Sequence, residues 1–170
     1  RQILNPVFKV KNLKQELHNK ADILLLNILE RQLWTYQPQS ATFNNALKHY
    51  LQQLRKVSHY SWPQERLEIF AKNAFDFGDT QLAKELYYQL IFSAKTVNVE
   101  WFGNIARLYL AQQQYRAAAR SYLQAMPYTT TFSQRKQFFL LGVKALQSGN
   151  LLPDAVAAGQ TYAGMLLADT

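Results

Sequence analysis

The sequence predicts an all-α solenoid of antiparallel helix pairs, about eight helices in number. Three observations carry that prediction. Apolar residues recur at helical spacing in every long segment, and no segment alternates long enough to make a convincing strand. Short interruptions divide these segments into helix-turn-helix pairs. One order of bulky and small residues also returns about every 35 residues through the second half of the chain.

The head, "RQILNPVFKVKN", offers only the brief alternation "FKVK". Residues 1–12 are therefore expected to be a lead-in, extended or the end of a preceding element. The next segment predicts a long helix, Leu13 to Tyr36, with Leu17, Ala21, Leu24 and Ile28 on one stripe and Leu25 and Leu29 widening it. Pro38 breaks it. Ser40 is suited to cap the following helix, whose apolar positions are Phe43, Leu47, Tyr50, Leu51 and Leu54. Residues 13–62 are thus expected to form one helical hairpin, a divergent repeat. "SHYSWP" is the next breaker, and Pro63 fits a first helical turn.

Residues 63–170 divide into three hairpins, at about 63–95, 98–127 and 133–168. The middle one shows the pattern most clearly. Phe102, Ile105, Ala106 and Tyr109 make one helical face, and "QQQ" interrupts. Tyr115, Ala118, Ala119, Tyr122 and Ala125 make a second face, and Pro127 stops it. The small residues Ala106 and Ala118 let two helix axes approach while aromatics fill the space beside them. Upstream the same order reads Leu67, Phe70, Ala71, Ala74, Gly78-Asp79, Ala83, Tyr87, Leu90. Downstream it reads Phe138, Leu141, Gly142, Ala145, Gly149-Asn150, Ala155.

This spacing and order resemble the tetratricopeptide repeat (TPR) family over roughly Pro63 to Leu167. The middle copy departs from the family by carrying Gln113 where a turn glycine is usual, and by placing Pro127 a few residues early. A narrower resemblance rests on "KALQSGNLLPDAVAAG" (Lys144 to Gly159) and "ILERQLWTYQP" (Ile28 to Pro38). These are similar to the periplasmic TPR region of Pel-type exopolysaccharide export proteins of Gram-negative bacteria, which pair a TPR solenoid with an outer-membrane β-barrel. That resemblance implies a periplasmic scaffold that recruits polysaccharide-modifying enzymes and passes the polymer to the pore. A regulatory helical domain in the cytoplasm stays open beside it.

Composition narrows the chemistry. The 170 residues suffice for a sizeable core, and 48% of them are hydrophobic. The chain begins with Arg1 rather than Met and opens on no signal peptide, so it reads as a fragment of a longer protein. Its longest mostly apolar run, Ile23 to Leu29, is far short of the ~20 residues a membrane span needs. With no cysteine, disulfides and thiolate chemistry are excluded. His18, His49 and His59 have no helically spaced histidine partner, so no metal site is expected. Glu65 and Glu68 fit a favourable helix N-terminus better than a catalytic pair. Glycines are isolated, with no phosphate loop. No catalytic residue and no cofactor is expected, and the chain reads as a non-enzyme.

The net charge of +8 and pI of 9.7 could attract a polyanion. The basic residues are dispersed, with Lys9, Lys11, Lys14 and Lys20 the densest group, and dispersal favours a solvated basic surface over a dedicated site. The remaining feature is a groove. In TPR proteins the first helix of each hairpin lines a concave surface. In this register that surface displays Glu65, Glu68, Lys72, Phe75, Glu100, Arg107, Leu110, Lys136, Phe139 and Val143. The partner-binding residues expected are Lys72, Phe75, Arg107, Leu110, Lys136 and Phe139, combining apolar anchors with charge steering. Alternatively, Phe75, Leu110 and Phe139 simply pack against neighbouring chain. Glu65 and Glu68 argue against the family's carboxylate clamp. Two function classes follow. The first is a protein-interaction scaffold, with a protein partner such as a polysaccharide-modifying enzyme or with an anionic or polysaccharide ligand. The second is a polyanion- or nucleic-acid-binding helical repeat, which would need a continuous basic stripe interleaved with aromatics. Arg116 and Arg120 share a face, but on the second helix of their hairpin.

Overall fold

A computed structural model of the chain describes residues 6–167, with side chains from 12 to 166. Its regular structure among those residues is entirely helical. Eight α-helices follow one another: α1 (Pro6–Leu33), α2 (Ala41–Val57), α3 (Gln64–Asp76), α4 (Thr80–Ser93), α5 (Val99–Ala111), α6 (Tyr115–Ala125), α7 (Phe132–Ser148) and α8 (Leu152–Leu167). A 3-10 turn, Met126–Tyr128, follows α6 and contains Pro127. The contacts divide into two compact units, Arg1–Trp62 and Pro63–Thr170.

In the first unit α1 pairs with α2. Ser40 caps α2, its hydroxyl accepting from the Phe43 amide at 3.1 Å. Three expectations are corrected here. The lead-in assigned to residues 1–12 is already helical from Pro6, since proline is favoured in a first turn where its missing N–H is not needed; residues 1–5 lie outside the described residues. The long helix also ends at Leu33 rather than Tyr36. Its buried face differs from the stripe read in the sequence. Leu17, Leu24, Leu25 and Ile28 are exposed, whereas Asp22, Leu26 and Leu33 are buried. The reason is a buried carboxylate. Asp22 accepts from Lys56 Nζ at 2.7 Å, from Tyr60 Oη at 3.0 Å and from Gln53 Nε2 at 3.4 Å, while His18 Nε2 lies at 3.4 Å. Gln53 also donates to the Asp22 backbone carbonyl at 3.0 Å. These bonds fix the rotation of α1 against α2, because a buried carboxylate without donors would be costly.

In the second unit each helix packs on its neighbours in sequence, α3 through α8, the arrangement of a solenoid. The three hairpin turns are built alike. Gly78, Gln113 and Asn150 all adopt positive φ, at 78°, 58° and 55°. In each turn the next residue's amide bonds back to the helix: Asp79 to the Ala74 carbonyl, Gln114 to Tyr109 and Leu151 to Leu146, at 2.8–2.9 Å. The positive-φ residues themselves bond to Phe75, Leu110 and Gln147. This is the Schellman closure, which satisfies the last carbonyls of a helix. Asp79 then caps α4 by accepting from the Leu82 amide. The repeated small positions lie inside the unit: Ala71, Ala74, Ala83, Ala106 and Ala118 are all fully buried. At Gly142 α7 lies close against α6, and a Cβ built there would lie 2.9 Å from Leu123 Cγ.

Candidate functional site

The first helices of two successive hairpins, α3 and α5, border a groove of about 460 Å³. Helical spacing explains which residues face it. Glu65, Glu68, Ile69, Lys72, Phe75 and Asp76 follow at i, i+3 and i+4 along α3, and Glu100, Trp101, Asn104 and Arg107 do so along α5. Asn98, the α5 N-cap, accepts from the Glu100 amide at 3.0 Å and stands at one end.

Aromatic residues form the floor. Trp101 and Tyr87 are almost completely buried, each 3% exposed. The Trp101 indole N–H donates to Glu68 Oε1 at 2.9 Å, tying α5 to α3 across the groove. Tyr87, contributed by α4, meets Phe75 edge-on at 6.4 Å between ring centroids. Its hydroxyl accepts from Asn104 Nδ2 at 2.9 Å. Burial, slightly offset by that hydrogen bond, pushes the Tyr87 pKa up to about 12.

Charged groups form the rim. Lys72 pairs with Asp76 one turn along α3. Arg107 donates to Asn104 Oδ1 at 2.7 Å and faces Glu100 at 3.6 Å. Both groove cations thus have partners within the groove. Glu65 and Glu68 meet no cation among the described residues.

Of the six residues expected to bind a partner, this groove brings together Lys72, Phe75 and Arg107. Leu110 and Phe139 are half-buried against the core of the last two hairpins, packed with residues such as Phe102, Ala118 and Phe138. Lys136 is exposed on α7, beside Leu140 and Lys144 in a separate shallow depression of about 300 Å³. Sequence reasoning did not single out Trp101, Asn104 or Ile69. Stepping back from Arg107 by three and six residues gives Asn104 and Trp101, so the helical register already contained that signal.

Elsewhere, Arg116 on α6 is paired with Asp154 of α8 at 2.7 Å. His59 packs edge-on against Tyr60. Among the described residues no three His, Asp or Glu side chains gather closely enough to hold a metal ion, and no helix is long and apolar enough to cross a membrane. No protein-family model, curated protein or solved structure matches the chain.

Proposed function

We propose that the chain is a non-catalytic protein-interaction scaffold, a tetratricopeptide-type array that engages a protein partner through the groove between α3 and α5. The observation that carries this reading is the groove itself, with buried aromatics beneath a rim of charged side chains. Aromatic and arginine anchors at the centre of a concave surface are what protein interfaces use. The repeated turns support the repeat assignment, since Gly78, Gln113 and Asn150 close successive hairpins in one way. The sequence resemblance to export proteins extends the proposal to a role in exopolysaccharide export at the bacterial envelope, with an enzyme acting on the polymer as the partner.

Site-specific photo-crosslinking tests the groove. A photoreactive amino acid is placed at position 69 or 72 within the groove, and at 147 or 160 on other exposed surface. Irradiation in the native cells is expected to give a discrete protein adduct from the groove positions alone. Equal adducts from all four positions would reject the groove as the interface. Adducts to nucleic acid in place of protein would favour a polyanion-binding function.

A further inference from the structure

The charge of the groove is opposite to that of the chain around it. Four carboxylates, Glu65, Glu68, Asp76 and Glu100, share it with two cations, Lys72 and Arg107. Asp76 and Glu100 face those cations. The negative excess is therefore localised at Glu65 and Glu68, one turn apart on α3, beside Ile69 and the Trp101 floor. The chain as a whole carries +8. A cationic ligand is thus repelled by the net charge of the chain and attracted by these two carboxylates, and a concave site with a low-dielectric floor concentrates that field. The sequence reading assigned charge steering to Lys72 and Arg107, but their intramolecular partners reduce what they offer a ligand.

We infer that the groove selects an extended peptide segment rich in lysine or arginine, with an apolar residue that rests on Ile69 and Phe75. This inference rests on the scaffold reading above and names the chemistry of its partner. Glu65 and Glu68 receive the basic side chains. Their aliphatic stems cover Ile69, which is 45% exposed. Glu68 keeps one carboxylate oxygen on the Trp101 indole, so the receiving carboxylate is already oriented.

The test uses the whole 170-residue chain and three fluorescein-labelled peptides that alternate phenylalanine or glycine with lysine, glutamine or glutamate. Fluorescence anisotropy is expected to rank them lysine, then glutamine, then glutamate, with the outer two separated by at least about tenfold in Kd. Raising NaCl from about 50 to about 300 mM should erode the lysine advantage. Glu65→Gln combined with Glu68→Gln retains the acceptor for Trp101, and should weaken only the lysine peptide, by roughly tenfold. Glu65→Gln alone, at an exposed residue, provides a variant whose folding is not in question. Glutamate-peptide binding that is tighter than lysine-peptide binding, and that is lost in Lys72→Glu, would overturn the cationic preference while leaving the groove as the binding surface. Binding of every peptide unchanged by Ile69→Asp, Lys72→Glu and the double glutamine variant would overturn both.

Discussion

Gly142 is the point at which packing of the second unit can be tested most directly. In isolation, replacing glycine by alanine inside a helix stabilises it by up to ~1 kcal/mol. Here the added methyl would lie 2.9 Å from Leu123 Cγ, 3.0 Å from Leu123 Cδ2 and 3.4 Å from the Ala119 carbonyl oxygen. The nearest atom is a branch point rather than a free tip, and Leu123 is itself 8% exposed within the core. Relief therefore requires α6 and α7 to separate. Overpacking of this kind costs ~1–3 kcal/mol. Set against the helix-propensity gain, Gly142→Ala should lose about 1 kcal/mol. Urea unfolding followed by circular dichroism measures it. Gly159 and Gly164 of α8 serve as controls, because a Cβ at either meets nothing within 4 Å; their alanine variants should be neutral or stabilising. In a Leu123→Ala background the cost at Gly142 should vanish, since the clashing side chain has gone. If Gly142→Ala is as stabilising as Gly159→Ala, or its cost survives removal of Leu123, the close contact between α6 and α7 is misplaced.

Asp22, held at a pKa of about 2 chiefly by Lys56, with further donation from Tyr60 and Gln53 and with burial opposing, stabilises the fold above its ordinary pKa of 3.8; that contribution is lost as pH falls from about 4 through about 2. Asp22→Asn should therefore be less stable than the parent at neutral pH, and the difference should shrink across that acid window in pH-resolved unfolding. Gln113→Gly relieves a non-glycine residue at positive φ and should raise stability by roughly 0.5–1 kcal/mol, with a lowered denaturation midpoint counting against the turn geometry. Tyr87 and Tyr88 are both pushed up to about 12, mainly by burial, so the stability tied to them is intact below pH 10 and is lost as pH rises toward 12. Ultraviolet titration of phenolate should show late-ionising tyrosines in the folded chain, and Tyr87→Phe should remove one of them.

The helices and turns of the second unit were legible because local patterns determine them. Ala106, Ala118, Phe102 and Tyr122 carry a helical period whose small and large members have only one way to interdigitate. The rotation of α1 was not legible, for a physical reason. Between Ile23 and Leu29 nearly every face is apolar, so periodicity alone selects the stripe richest in leucine. Asp22 decides otherwise through donors more than 30 residues away, at Gln53, Lys56 and Tyr60. The groove was partly legible. Residue spacing placed Lys72, Phe75 and Arg107 on one surface, but it could not show that Asp76, Glu100 and Asn104 engage the two cations. Leu110 and Phe139 have the composition of anchors, yet adjoining helices already half-cover them. Distinguishing an anchor from a core residue requires the neighbour's position, which a single sequence does not contain.

Packing that is mostly between neighbours along α3 to α8 has a kinetic consequence. Contacts close in sequence require little loop closure before they become favourable, so the unit should fold rapidly, each hairpin nucleating with its own Schellman turn. Opening should likewise proceed in segments, as a one-dimensional array divides at its weakest link. Amide exchange should then be slowest in α5 and α6, the middle helices of the α3–α8 series. The Trp101–Glu68 bond crosses from one hairpin to the next, and a ligand lying along that groove would bridge the same junction. Such a ligand would slow exchange in α3 and α5 together, a signature of occupancy that requires no change of shape.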